Sequence, residues 1–411
     1  RMVATDGGGS GAAVTDVLDV LGGTSNVALG SGAMGVALTT GSDNVAIGEN
    51  ALDAVTTGTD NVAVGDGAGG AITTGVGNIA IGSDALDAVT TANSNVAVGM
   101  AALGANTSGT SNTGVGDNAL LVNTTGSYNT AVGSLALDAN TTAANNTALG
   151  YQALSANTTG DLNVAVGSGA APSNTTGSNN TALGQGALNA NTTASNNTAV
   201  GRAALLANTT GDKNTAIGTQ ALNTNTVGDR SVAIGYQALY TQNPATNTDM
   251  FNVAVGNGAL FASTTAVSNT AVGGNALNAD TTGGYNVAVG KDALTANTTA
   301  SNNVAVGFAS LDANTTGAHN TALGQASLGA NTTASNNTAV GSGSLTANTT
   351  GQYNVAIGGS TLQASTTTSS NTAVGYAALY ANTTGTGHVA VGNGALDANT
   401  TGSSSTAVGY N

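Results

Sequence analysis

Asn146-Thr147-Ala148-Leu149-Gly150-Tyr151-Gln152-Ala153-Leu154-Ser155-Ala156-Asn157-Thr158-Thr159-Gly160-Asp161-Leu162 is one copy of a unit that fills almost the whole chain. The unit reads N-(T/V)-A-(V/I/L)-G-x-x-A-L-x-A-N-T-T-(G/A)-x-x, with positions numbered 1 to 17 from the first Asn. Its position-5 glycine recurs 23 times between Gly30 and Gly409. The step is 17 residues, except 18 between Gly30 and Gly48 and 21 between Gly235 and Gly256. Position 1 is Asn in 20 of 23 copies, with Ser231, His388 and Ser405 departing. Position 3 is Ala in every copy but the one with Gly114, and position 4 is always Val, Ile or Leu. A lattice this strict is architecture, because a one-off active site needs no repetition.

Helical repeats are longer, usually about 33 residues or more, and Asn, Thr, Gly and Val are weak helix formers. The unit instead divides into two short strand-like runs, N-V-A-V-G and A-L-x-A-N, separated by polar, glycine-bearing turns. The expected fold is all-β: a β-solenoid, parallel β-roll or β-helix of 17-residue coils, each hydrogen-bonded to the next at about 4.8 Å.

Strand alternation assigns the faces. Positions 2 and 4 share one face, and positions 9 and 11 share another. Taking these as interior predicts a thin core containing Val64, Leu86, Val98, Leu103, Val132, Leu154, Val166 and Leu188. All 12 aromatics fall at positions 6, 10 and 17, outside it. On this reading the position-3 alanines, among them Ala63, Ala97, Ala131, Ala165 and Ala199, face outward as a smooth stripe. Such a stripe is expected to pack against identical chains in a homo-oligomeric fibre, a trimer first. The alternative is that Ala simply fits a tight corner. Asn129, Asn146, Asn163, Asn180 and Asn197 are expected to form a hydrogen-bonded ladder, with a turn role as the rival. The repeated N-T-T strings are formal glycosylation sequons, but their locking to the repeat favours turn structure.

Residues 1–25 break the lattice and read as a linker with a cap or a degenerate first coil. Repeats cover 26–239 and 252–411, and 240–251 is an inserted loop. Its residues Tyr240, Pro244, Asp249 and Phe251 are candidates for ligand contact, although a plain protruding loop is the favoured reading. The last residues begin a new coil. Either more chain or another subunit is expected to cover that end, and the second option gives a head-to-tail filament.

Composition excludes much else. The 5 Lys and Arg against 20 Asp and Glu leave a net charge of −15, so no basic footprint for nucleic acid exists. No apolar run approaches the ~18 residues of a membrane-spanning helix. The absence of cysteine excludes disulfides and thiolate zinc sites. His319 and His388 lie four coils apart, and no Ser/His/Asp constellation is available. Asp53, Asp87, Asp138, Asp312 and Asp397 recur at position 10 without the G-G-x-G-x-D pattern of calcium-binding rolls. No catalytic residue, cofactor or metal is therefore expected. Thr at positions 13 and 14 is adjacent, not T-x-T on one face, so an ice-binding solenoid stays a minor alternative.

At N-x-A-(V/I)-G the chain resembles the head repeats of trimeric autotransporter adhesins. It looks still more like the N-T-A-(V/I)-G-x-x-A-L repeats of bacteriophage tail fibres and bacterial surface proteins. The resemblance spans about residues 26–411. It implies a left-handed, homotrimeric β-roll, extracellular on a virion or bacterial cell surface. It further implies an adhesive fibre shaft whose partner is a cell-surface or glycan receptor. The units of adhesin heads are shorter. The heptad stalk, membrane-anchor strands and C-terminal chaperone domain of such proteins are not expected within residues 1–411.

Overall fold

The structure, a computed structural model, describes residues 25–35 and 38–410. The expected cap or degenerate coil at residues 1–25 therefore lies, but for Ser25, outside the described residues. The chain forms an all-β parallel solenoid of about 22 turns, with no helix among the described residues. It divides into two compact units, Arg1–Asn179 and Asn180–Asn411. In the first, strands from Val27–Leu29 to Val164–Val166 each hold three residues and pair in parallel. In the second, the same ladder runs from Thr181–Leu183 to Thr406–Val408.

Each strand is positions 2–4 of a coil, and equivalent positions stack. Thr147, Ala148 and Leu149 lie against Val164, Ala165 and Val166. The irregular steps leave the register intact. Val27 pairs with Val45, and across the insertion Val232 pairs with Val253.

The strand faces are the reverse of the expected ones. Ala63, Ala97, Ala131, Ala165 and Ala199 are buried within the coil, so they form no inter-chain stripe. Val64, Val98, Val132 and Val166, expected inside, are half-exposed on the outer face. The reason is space. At Gly114, the one glycine at position 3, an added Cβ would sit 3.2 Å from the Ala119 carbonyl oxygen and 3.4 Å from Leu103 Cγ. A methyl group fills that gap, and a branched side chain would overpack it.

Leu86, Leu103, Leu154 and Leu188 are buried as expected, but no second strand carries them. Positions 6–11 are a turn. Ala153 and Leu154 are adjacent and both buried, which strand alternation forbids. A left-handed backbone makes it possible: φ is 54° at Gln152 and 51° at Leu154. The same kink turns Ala156 at position 11 away from the interior, leaving it half-exposed. Holding a leucine left-handed costs about 1–2 kcal/mol, which burying its side chain, worth about 1.5–3 kcal/mol, offsets.

The turn also bonds coil to coil. Leu154 and Ala156 donate their amides to the carbonyls of Ala170 and Pro172 at 3.0 Å, as strand residue Thr147 donates to Asn163 at 2.8 Å. At the corner, Gly150 has φ 134°, and a Cβ there would lie 2.7 Å from the carbonyl carbon and oxygen of Gly167 in the next coil. Only glycine permits that approach.

The remaining core is amide. Asn129 is fully buried. Its Oδ1 accepts the Asn146 amide at 3.0 Å, and its Nδ2 donates to the Ala143 carbonyl at 2.8 Å. Asn163 and Asn197 continue this position-1 ladder in their own units: their amides donate to Asn146 Oδ1 and Asn180 Oδ1, and their Nδ2 atoms donate to the Gly177 and Gly211 carbonyls. Asn180 accepts the Asn197 amide and donates to the Ala194 carbonyl. A second column stands at position 12, where Asn140 Nδ2 donates to Asn123 Oδ1 at 2.7 Å and to Ala143 at 3.1 Å. The ladder expectation holds, and both columns lie inside the coil, where their hydrogen bonds offset the cost of burying them. In the coils nearest residue 38, the second column is instead apolar: Leu38, Val55, Ile72 and Val89.

Candidate functional site: an outward apolar face

With alanine inside, the strand turns positions 2 and 4 to solvent. Every residue at position 2 is Val, Ile or Thr, and every one at position 4 is Val, Ile or Leu. No charge interrupts them. In the first unit Leu149 is 46% exposed, and in the second Leu183 and Leu323 are 44% and 45% exposed. Neighbouring side chains of a column stand about 4.8 Å apart, and the two columns about 6.6 Å apart. The result on each unit is a regular, largely apolar face. Sequence reasoning missed it because it placed these residues in the core. Exposed Tyr128, Tyr285 and Tyr353 mark position 17, two residues before the first strand residue of the following coil.

The insertion gives a second surface feature. Gly228–Asp229 and Thr248–Asp249 form a small parallel pair, which folds the extra residues back onto the solenoid. Pro244 is buried, its Cδ 3.1 Å from where a Cβ on Gly228 would stand, so the loop is packed down rather than free. Tyr240 is half-buried and stacks on Phe261, with centroids 5.3 Å apart and planes 7° apart. Exposed Asp249 pairs with Arg230 at 2.9 Å, and the guanidinium lies 5.5 Å from the Phe251 ring centroid. The four contact candidates therefore split: Asp249 and Phe251 share Arg230, whereas Tyr240 and Pro244 serve packing. The insertion also keeps the internal column intact. Gln242 stands at position 12, accepts from Ser231 Oγ and donates to Asn225 Oδ1.

Among the described residues the acidic side chains make no common site. Burial, then the charges of Asp84 and Asp53, push the Asp87 carboxyl up, and burial does the same for Asp138 and Asp312. No cluster of three or more His, Cys, Asp or Glu able to hold a metal ion occurs among the described residues. His319 is exposed. His388 is buried in the position-1 column, where its Nδ1 accepts the Ser405 amide at 3.2 Å in the manner of the Asn it replaces. No helix among the described residues is long and apolar enough to cross a membrane.

No protein-family model matches the chain, and no curated protein matches it.

Proposed function

We propose that the chain is the shaft of an extracellular adhesive fibre, built as a homotrimer and carried on a virion or bacterial cell surface. The observation that supports this reading is the uncharged outer face at positions 2 and 4. Its residues recur at the coil pitch, so a partner covering it coil after coil must share that pitch. A second and third copy of the same chain do. The interface thus lies on the Val, Ile, Leu and Thr columns and not on the alanines. Rigid repetition supplies reach, and contact with a cell-surface or glycan receptor falls to exposed features such as Asp249 and Phe251.

Sedimentation equilibrium tests the reading. A trimer has three times the chain mass of 38.8 kDa, and Leu149→Asp is expected to weaken it. A folded monomer at micromolar concentration overturns it.

One observation favours a second reading in that event. With the faces corrected, Thr147 and Leu149 point outward from one strand, as do Thr198 and Val200. Such regular hydroxyl-and-methyl columns suit an ice surface, and a monomer showing thermal hysteresis supports that function instead.

A further inference from the structure

We propose that the step from Ser263 to Asp280 is a pH-operated weak point in the second unit: the closed coil holds Asp280 protonated, and local opening lets it ionise. The position-12 column has a direction. Each amide hands a proton to the preceding coil: Gln242 Nε2 to Asn225 Oδ1 at 3.2 Å, Asn314 Nδ2 to Asn297 Oδ1 at 3.0 Å, and Asn331 Nδ2 to Asn314 Oδ1 at 2.8 Å. The relay needs a donor on every side chain. Asp280 occupies one of these places, fully buried, and the preceding place is Ser263, also fully buried.

Asp280 is supplied only as an acceptor. Asn297 Nδ2 donates to its Oδ1 at 2.8 Å, Asn269 Nδ2 donates to Oδ2 at 3.4 Å, and the Gly283 amide donates to it as well. On its other side the Ser263 hydroxyl is buried without a hydrogen-bond partner. An ionised carboxylate has no proton to pass in that direction, and the Ser263 hydroxyl, which could donate to it, makes no such bond. A protonated one restores the O–H donor that Asn provides elsewhere in the column.

The groups facing Asp280, Ser263 and Asn297 from the neighbouring coils and Asn269 from its own, carry no charge, so nothing compensates a buried carboxylate there. Burial accordingly pushes the carboxyl up to about 7, against the pull of Asn297 and Gly283. The sign follows from linkage. The unfolded chain releases this proton near 3.8 and the folded coil near 7, so stability is full below the lower value and falls as pH rises to the higher one. A solenoid is stabilised by neighbouring coils, so the loss is confined to coils near Asp280.

Hydrogen exchange of the full chain between pH 5 and 8, corrected for intrinsic rates, tests this. The opening equilibrium of residues 263–297 is expected to rise roughly a hundred-fold over that range, with coils beyond residue 330 unchanged. Asp280→Asn, which installs the residue typical of the column, is expected to flatten the profile at the protection seen at pH 5. The proposal is overturned if the wild-type profile is flat, if Asp280→Asn keeps the pH dependence, or if the change spreads evenly over the unit.

Discussion

Asn129 offers the sharpest test of the internal ladder. In Asn129→Ala the buried amide of Asn146 loses its acceptor, now at 3.0 Å. An orphaned buried donor costs about 1–3 kcal/mol. The Ala143 carbonyl is less affected, because Asn140 Nδ2 still donates to it at 3.1 Å. The vacated volume in a close-packed coil adds about 1 kcal/mol. The expected total is about 2–4 kcal/mol, concentrated in residues 112–163. Asn129→Asp separates the components. It keeps the acceptor for Asn146, removes the donor to Ala143, and buries a carboxylate without a charged partner. Its penalty is therefore small at pH 5 and large at pH 8. Peptide-resolved hydrogen exchange at both pH values reads the local opening energies. An Asn129→Ala protein within 0.5 kcal/mol of wild type, or an Asn129→Asp protein as protected at pH 8 as at pH 5, refutes the ladder as a source of stability.

Other substitutions probe the rest of the coil. Leu154→Ala removes a buried side chain that the thin interior cannot replace, and is expected to cost about 2–5 kcal/mol by local exchange. Gly150→Ala sets a Cβ against the Gly167 carbonyl at a φ of 134°. A loss of about 3 kcal/mol or more is expected, again visible as lost protection in the coils on either side. Leu149→Asp changes only the outer face, so it should lower oligomeric mass in sedimentation while leaving monomer circular dichroism unchanged.

The period, the all-β class, the buried leucine and the amide columns were legible in the residues alone. The face assignment was not. A three-residue strand shows one alternation, and Val-Ala-Val can be read either way. Side-chain size argued for valine inside, but the coil is too thin for it. The aromatic positions could not arbitrate, since they avoid positions 2, 3, 4 and 9 alike. The left-handed leucine was hidden for another reason: leucine has no intrinsic preference for that backbone, and only coil packing holds it there. Asp280 was visible as a departure from Asn at position 12. Its meaning required knowing that the column runs inside the coil.

Chain polarity within the strand is the claim on which the interface depends, and cysteine chemistry tests it most directly because the chain has no native cysteine. Ala148→Cys and Leu149→Cys differ by one residue, buried and 46% exposed respectively. The thiol of Ala148→Cys is expected to be unreactive to maleimide until denatured. The thiol of Leu149→Cys is expected to label in the native monomer, or to be trapped under oxidation as a disulfide between chains. Rapid native labelling of Ala148→Cys, with Leu149→Cys silent to both reagents, would contradict that claim.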